Sequence, residues 1–307
     1  MENSERWTAS DIPDLAGKTA IITGGNSGVG LETAIELARH RATTIIACRS
    51  SSRGESALRR IRESVPTSQV ALMQLDLGDL ASIGTFAESF IAEYQGLDLL
   101  VNNAGIMATP YRTTKDGFES QVGTNHLGHF ALTCKLMPAL SAAPSSRVVN
   151  VSSIGHRSGE IDFDELLLSR SNYKRTRAYS RSKLANLLFT YEMHRRLERA
   201  QIESISSLAA HPGVARTNLL TGMGFVGWLL KPVAALFIQS AKMGALPILR
   251  ASTDPDAQGG QYYGPDKAHE RSGFPVVVSS SPDSHDEDSA RRLWEQSEEL
   301  TGLTFGF

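Results

Sequence analysis

Between Lys18 and Asn150 short β-branched runs alternate with longer helical patterns, and that rhythm restricts the fold more than any other feature of the chain. "KTAIIT", "TTIIAC", "VALMQL", "LDLLVN" and "RVVNVS" read as strands, and another follows at "ESISSLAA". Their solid hydrophobicity lacks the polar alternation of a one-sided sheet, so it predicts strands covered on both faces. Strand, helix, strand repeated this often means a doubly wound parallel sheet with ligands at the carboxyl ends of its strands. The segments between read as helices. In "DLASIGTFAESFIAEY" Asp79 stands as N-cap, with Leu80, Ile83, Phe86, Phe90, Ile91 and Tyr94 at helical spacing. Near the C-terminus "DSHDEDSARRLWEQSEEL" reads as a capped helix stopped by Gly302. No repeat, low-complexity tract or linker splits the chain. The expectation is an N-terminal extension over 1–16 and one Rossmann-like α/β domain over 17–307, with helices on both faces of the sheet.

Directly after the first strand comes "TGGNSGVG", a turn running from Gly24 through Asn26, Ser27, Gly28, Val29 and Gly30 into the helix "LETAIELARH". Such a turn needs unusual backbone angles, close approach to a pyrophosphate and tight packing of helix on strand. The helix N-terminus then faces the phosphates. About 20 residues further on, an NAD site places a carboxylate for the ribose 2′-hydroxyl. Here the second strand ends "ACRS", with Arg49, Ser50 and then Arg53 in that neighbourhood and no carboxylate. A guanidinium suits a 2′-phosphate, so the cofactor expected is NADP(H) rather than NAD.

Composition narrows the partner. The 31 basic and 33 acidic residues nearly balance and the pI is near 6.5, so no single-sign field points to nucleic acid or an anionic membrane. A small molecule is expected instead. Two cysteines, Cys48 and Cys134, fall at no metal-type spacing, as in a reduced intracellular protein. The start "MENSERWTASDIPDLAGK" lacks a signal-like apolar run and reads as a mature cytosolic, hence cytoplasmic, N-terminus.

Three Tyr-x-x-x-Lys matches occur, at Tyr111, Tyr179 and Tyr263. A proton-transfer tyrosine needs its lysine on the same face, which a helix delivers four residues on. Only Tyr179 and Lys183 sit in a helical pattern, "RAYSRSKLANLLFTYEMHRRLERA". Tyr111 follows Pro110 in a polar loop, and Tyr263 precedes Gly264 and Pro265, which break a helix. A free phenol titrates near pH 10, so a cation at Lys183 would serve to stabilise the phenolate.

In sequence order, "TGGNSGVG", "DL" at Asp76 and Leu77, "NNAG" at 102 to 105, "NHLGHF" at 125 to 130, "NVSS" at 150 to 153, "YSRSK" and "HPGVART" at 211 to 217 make the chain resemble the short-chain dehydrogenase/reductase family. Within that family it resembles the retinol dehydrogenase and WW-domain oxidoreductase-like subgroup, from about Lys18 to the C-terminus. The resemblance implies a catalytic set of Asn125, Ser153, Tyr179 and Lys183. Ser153 would hold the substrate carbonyl, Tyr179 would donate the proton, and Lys183 would lower the tyrosine pKa and bind the nicotinamide ribose. Asn125 would hold a water leading to Lys183. The resemblance also puts Asn102, Asn103, Ala104 and Gly105 on the cofactor's adenosine side, with Asp76 and Leu77 at the adenine. Pro212, Gly213, Val214 and Thr217 would border the nicotinamide and pyrophosphate. The 26-residue separation of Ser153 and Tyr179 is about twice that of the commonest family pattern, and its filling resembles the retinol dehydrogenase subgroup.

The activity so implied is NADP(H)-dependent interconversion of a carbonyl and an alcohol on a hydrophobic molecule such as a retinoid, steroid, lipid aldehyde or polyketide. Alternatives are an epimerase or dehydratase of the same superfamily, and a non-catalytic NADP-binding sensor. His126 and His129, three apart, read as a packed pair rather than metal ligands, because no third ligand follows at useful spacing and hydride transfer needs no metal. His211 reads as structural. The apolar run within about 215–242 is too interrupted to span a bilayer and is expected to be a substrate lid; a subunit interface and peripheral membrane contact are the other readings. Family habit makes homo-oligomers common.

Overall fold

The computed structural model describes residues 6–214 and 239–306. Thr217 and nearly all of the expected lid lie outside the described residues.

Eight strands form one sheet: β1 (Thr19–Thr23), β2 (Thr43–Cys48), β3 (Val70–Gln74), β4 (Leu99–Asn102), β5 (Ser146–Val151), β6 (Ile205–Ala210), β7 (Tyr262–Lys267) and β8 (Ser272–Val277). Their order is β3-β2-β1-β4-β5-β6-β7-β8, with every pairing parallel except the β7–β8 hairpin. All six strands read from the sequence are present. The chain winds outward from β1 through β2 to β3 and then resumes at β4 on the other side of β1, which opens a crevice between the carboxyl ends of β1 and β4.

The helices are α1 (Gly28–Arg39), α2 (Ser51–Ser64), α3 (Leu80–Glu93), the short turn α4 (Ser120–Val122), α5 (Gly128–Ala142), α6 (Arg175–Arg199), α7 (Ala241–Thr253) and α8 (Glu287–Thr301). Strand side chains alternate between two covered faces. Ala20 and Ile22 of β1 join a core with α1, α2 and α7, while Ile21 joins another with α3, α5 and α6. This is why the strands carry no polar alternation. Asp79 caps α3 by accepting from the N–H groups of Ala81 and Ser82, and Gly302 ends α8 with φ of 65°. Trp7, Ile12 and Leu15 are buried in the α1 side of the core, so the segment before β1 is packed on the domain from Trp7 onward.

Two elements differ from the sequence reading. The helix expected around "NHLGHF" opens with a π segment (Gly123–Leu127), where the Gly128 N–H reaches back to the Gly123 carbonyl. Tyr263 lies in β7 rather than in a loop or helix.

Candidate active site

A cavity of about 840 Å³ occupies the crevice and extends past the ends of β4 and β5. Its floor at one end is the glycine turn. Gly24 has φ of +66°, and a Cβ there would stand 3.1 Å from the Ala104 Cα, so only glycine lets the turn after β1 lie against the turn after β4. Thr23 ties the two turns together: its Oγ1 accepts from the N–H of Asn103 and of Ala104, both at 2.9 Å. His129 Nε2 lies 2.9 Å from the same Oγ1, and its Nδ1 lies 2.9 Å from the Asn125 carbonyl. The carbonyl can only accept, so Nδ1 donates and Nε2 accepts a hydrogen bond from the threonine hydroxyl. Burial depresses the pKa of His129 to about 4 and that of His126 to about 3, which keeps both neutral. His126 faces Ser297 at 2.9 Å. Both histidines are therefore packing and hydrogen-bonding groups.

The α1 N-terminus faces the cavity, and its N-cap Ser27 makes no side-chain capping bond, which leaves first-turn N–H groups available. At the far side Arg49 and Arg53 line the cavity beside Asp76, Leu77 and Gly78, and the Arg49 guanidinium lies 3.7 Å from the Asp76 carboxylate. Asp76 in turn accepts from the Gly78 N–H at 2.9 Å.

At the opposite end Tyr179 and Lys183 project from successive turns of α6. The Lys183 ammonium is 5.9 Å from the Tyr179 ring centroid and donates to the Val151 carbonyl at 2.9 Å. Ser153 lies beside Tyr179, since a Cβ on Gly155 would stand 3.3 Å from the tyrosine ring and 3.5 Å from the Ser153 Oγ, and that Oγ accepts from the Gly155 N–H at 3.1 Å. The expected lowering of the tyrosine pKa is not what these contacts produce. Burial raises it, the neighbouring Ser153 hydroxyl opposes the rise only partly, and the phenol stays above its ordinary value. Burial also lowers Lys183 to about 8.

Of the expected site residues, Gly24, Asn26, Ser27, Gly28, Val29, Gly30, Arg49, Asp76, Leu77, Asn103, Ala104, Gly105, Tyr179, Lys183 and Pro212 line the cavity. Neither of the other two Tyr-x-x-x-Lys pairs brings both its members there. Ser50 instead accepts from the Arg53 N–H as the N-cap of α2. Asn102, expected beside the adenosine, lies beneath the cavity at 1% exposure, with its amide donating to Thr133 and Asn150. Asn125 is brought next to Lys183, since a Cβ on Gly105 would be 3.3 Å from its Oδ1 and 3.5 Å from the lysine Nζ. Its side chain is fully engaged, however, with both backbone groups of Ile106 and with Ser182. The Gly213 N–H donates to His211 Nδ1 at 3.2 Å, and Val214 is held by the β7–β8 turn through its N–H to the Arg271 carbonyl.

The sequence reading missed Thr23, whose signal was a hydroxyl at the end of an otherwise apolar strand. It also missed the cavity-lining loop residues Met107, Thr109 and Pro110. Arg181, fully buried between Tyr179 and Lys183 in sequence, was missed as well. Its guanidinium donates to the carbonyls of Glu160, Glu165 and Leu166, which pins the long segment before α6 to the helix.

A doubly wound sheet with a glycine turn at its switch point and a Tyr–Lys pair at the other end of one cavity defines a single-domain, nucleotide-binding α/β protein of the dehydrogenase type. The family model described as "short chain dehydrogenase" matches residues 18–223. Human retinol dehydrogenase 13 is 41% identical over 296 residues, covering 94% of this chain and 86% of its own. Human retinol dehydrogenase 12 is 42% identical over 291 residues, covering 94% and 88%. Among solved structures, an uncharacterized protein from Mycobacterium Paratuberculosis superposes with a TM-score of 0.82 at 43% identity, covering 98% of this chain and all of the other. Salutaridine reductase from Papaver somniferum shares the fold, with a TM-score of 0.63 at 20% identity and coverage of 80% and 99%. The chain belongs to the short-chain dehydrogenase family, in its retinol dehydrogenase subgroup, and is an oxidoreductase acting on CH–OH and C=O groups.

Proposed function

We propose that the protein is an NADP(H)-dependent oxidoreductase that interconverts a carbonyl and an alcohol on a hydrophobic small molecule, retinoids and other lipid-like aldehydes or ketones being the first candidates. The observation that carries this reading is that Tyr179 and Lys183 line one end of a cavity whose other end is the glycine turn, with Ser153 close beside Tyr179. The chain's own groups fit the cofactor. The free N–H groups of the α1 first turn suit a pyrophosphate, and Arg49 and Arg53 suit a 2′-phosphate where NAD would need a carboxylate. When bound, the nicotinamide supplies or accepts the hydride.

Everything else falls to the side chains. Ser153 donates to the substrate oxygen and holds it against Tyr179. A phenol held above its ordinary pKa is protonated at neutral pH, so Tyr179 starts as the acid and gives its proton to the oxygen as the carbonyl is reduced. Lys183, still charged near pH 7 and close to Gly105, stabilises the phenolate left behind and would hold the nicotinamide ribose. Asn125 holds Ile106 and the lysine's surroundings in place. Two free cysteines, Cys48 and Cys134, suit a reducing compartment, and we place the enzyme in the cytoplasm. Among the described residues no helix is long and apolar enough to cross a membrane.

The test is a titration with NADPH and NADH followed by turnover of retinal and decanal, in wild type and Tyr179→Phe. NADPH should bind more tightly than NADH. The variant should keep NADPH affinity within about threefold while turnover falls by about 10³ or more. Wild-type turnover in the phenylalanine variant would sink the mechanism, and equal affinity for both cofactors would sink the NADP assignment.

A further inference from the structure

We propose that residues 106–110 form the substrate-facing wall of the cavity and that Tyr173, acting with Gln121, is the positioning residue that fixes its shape. This rests on the carbonyl reductase reading above. The loop leaves the Lys183 end of the cavity at Gly105, and Met107, Thr109 and Pro110 line the cavity together with Tyr179. Asn125 grips its first residue through both backbone groups of Ile106, at 2.9 and 3.0 Å.

Two residues further on, Ala108 has φ of 50°, a left-handed conformation that an alanine does not hold unaided. Its N–H donates to Gln121 Oε1 at 2.8 Å. The next carbonyl, of Thr109, accepts from the Tyr173 hydroxyl at 2.8 Å. Gln121 Nε2 closes the arrangement by donating to the Tyr173 oxygen at 2.7 Å and to the Arg175 carbonyl at 2.9 Å. Gln121 is fully buried, and the Tyr173 ring meets Tyr111 edge-on at 5.3 Å.

Tyr173 lies six residues before Tyr179, at the end of the long segment that separates Tyr179 from Ser153. One function of that added length is therefore to bring a hydroxyl down onto a loop that lines the same cavity as the proton donor. An apolar substrate offers few groups for hydrogen bonding, so its placement against Tyr179 depends on wall shape, and a wall of apolar Met107 and Pro110 keeps that shape only if its backbone is held.

Tyr173→Phe keeps the ring and deletes the hydroxyl, so it removes the clamp without opening the core. Kinetics with NADPH and retinal should show KM rising about tenfold with kcat changed less than about threefold, and NADPH affinity unchanged within about twofold. Hydrogen exchange at the amides of Met107, Ala108 and Thr109 should quicken by about tenfold. Tyr111→Phe, which leaves both rings in place, should match wild type in all of these. Faster exchange with an unchanged KM would show a clamp on a loop that does not meet substrate, and would overturn the proposal. Unchanged exchange would overturn the clamp itself. If the wild-type protein turns over neither retinal nor decanal, the reductase reading fails first and the loop's substrate role falls with it, while exchange still judges the clamp.

Discussion

Lys183 is 4% exposed, donates to one backbone carbonyl, and has its pKa lowered to about 8 by burial alone. The folded value lies below the ordinary lysine value, so the unfolded chain holds this proton more tightly. Stability from this group is therefore highest above about pH 10.5 and is lost as pH falls through about 8. Each pKa unit corresponds to about 1.4 kcal/mol, so the charged lysine costs the fold on the order of 3 kcal/mol at neutral pH. Lys183→Met should accordingly raise the unfolding free energy at pH 7 by about 1 kcal/mol or more while turnover disappears. Denaturant melts at pH 7 and pH 10 would check this, and a variant less stable than wild type at pH 7 would refute it. Tyr179 and Lys183 were legible because helical spacing puts them on one face. Gln121 and Tyr173 were not, since they act on backbone groups of the 106–110 loop, and no local spacing marks a pair 52 residues apart.

The α5 region shows the same economy of partners at the scale of an element. The π segment turns Asn125 towards Ile106 and at the same time sends His126 into the rings of Phe130 and Phe189 and His129 towards Thr23. Both histidines have depressed folded pKa values, so their contribution to stability is complete above about pH 6.5 and is lost as pH falls towards about 4 and about 3. In that window the free energy of unfolding should fall by about 1.4 kcal/mol per pH unit for each. His126→Leu should remove one such slope between pH 4.5 and 6, as read from denaturant melts, and an unchanged slope would mean that His126 is protonated in the fold. The six strands from β1 to β6 could be read from hydrophobic runs because both their faces are buried. β7 and β8 could not, because "YYGPDK" and "SGFPVV" carry glycines and prolines. Pro265 and Pro275 face each other in register, and only Tyr262 and Tyr263 pair with β6, so the prolines remove few ladder bonds. The turn joining them holds Ala268, His269 and Glu270 all at positive φ, and Glu270 reaches back to His211 at 3.1 Å and to Arg157 at 2.8 Å.

At the scale of the molecule, the two largest hydrophobic clusters of the described residues lie on opposite faces of the sheet, and the segment before β1 completes one of them. Trp7, at 9% exposure, packs into the same cluster as α1, α2 and α7. Trp7→Ala should lower the unfolding free energy by about 3 kcal/mol without altering KM, because the residue is on no wall of the cavity. An unchanged melting temperature would show that the N-terminal segment is not part of the domain. Its composition alone could not say so, since "MENSERWTASDIPDLAGK" is mostly polar and carries its three anchoring side chains singly.

The near contact of Gly24 with Ala104 reaches beyond binding. The two turns belong to strands 80 residues apart in the chain, and each is shaped by touching the other through Thr23. A nascent chain that had formed only β1 to β3 would present a glycine turn with nothing to lean on. A ligand that touches both turns would meet its full site only after the two halves have docked, and by mass action it would then favour the docked state.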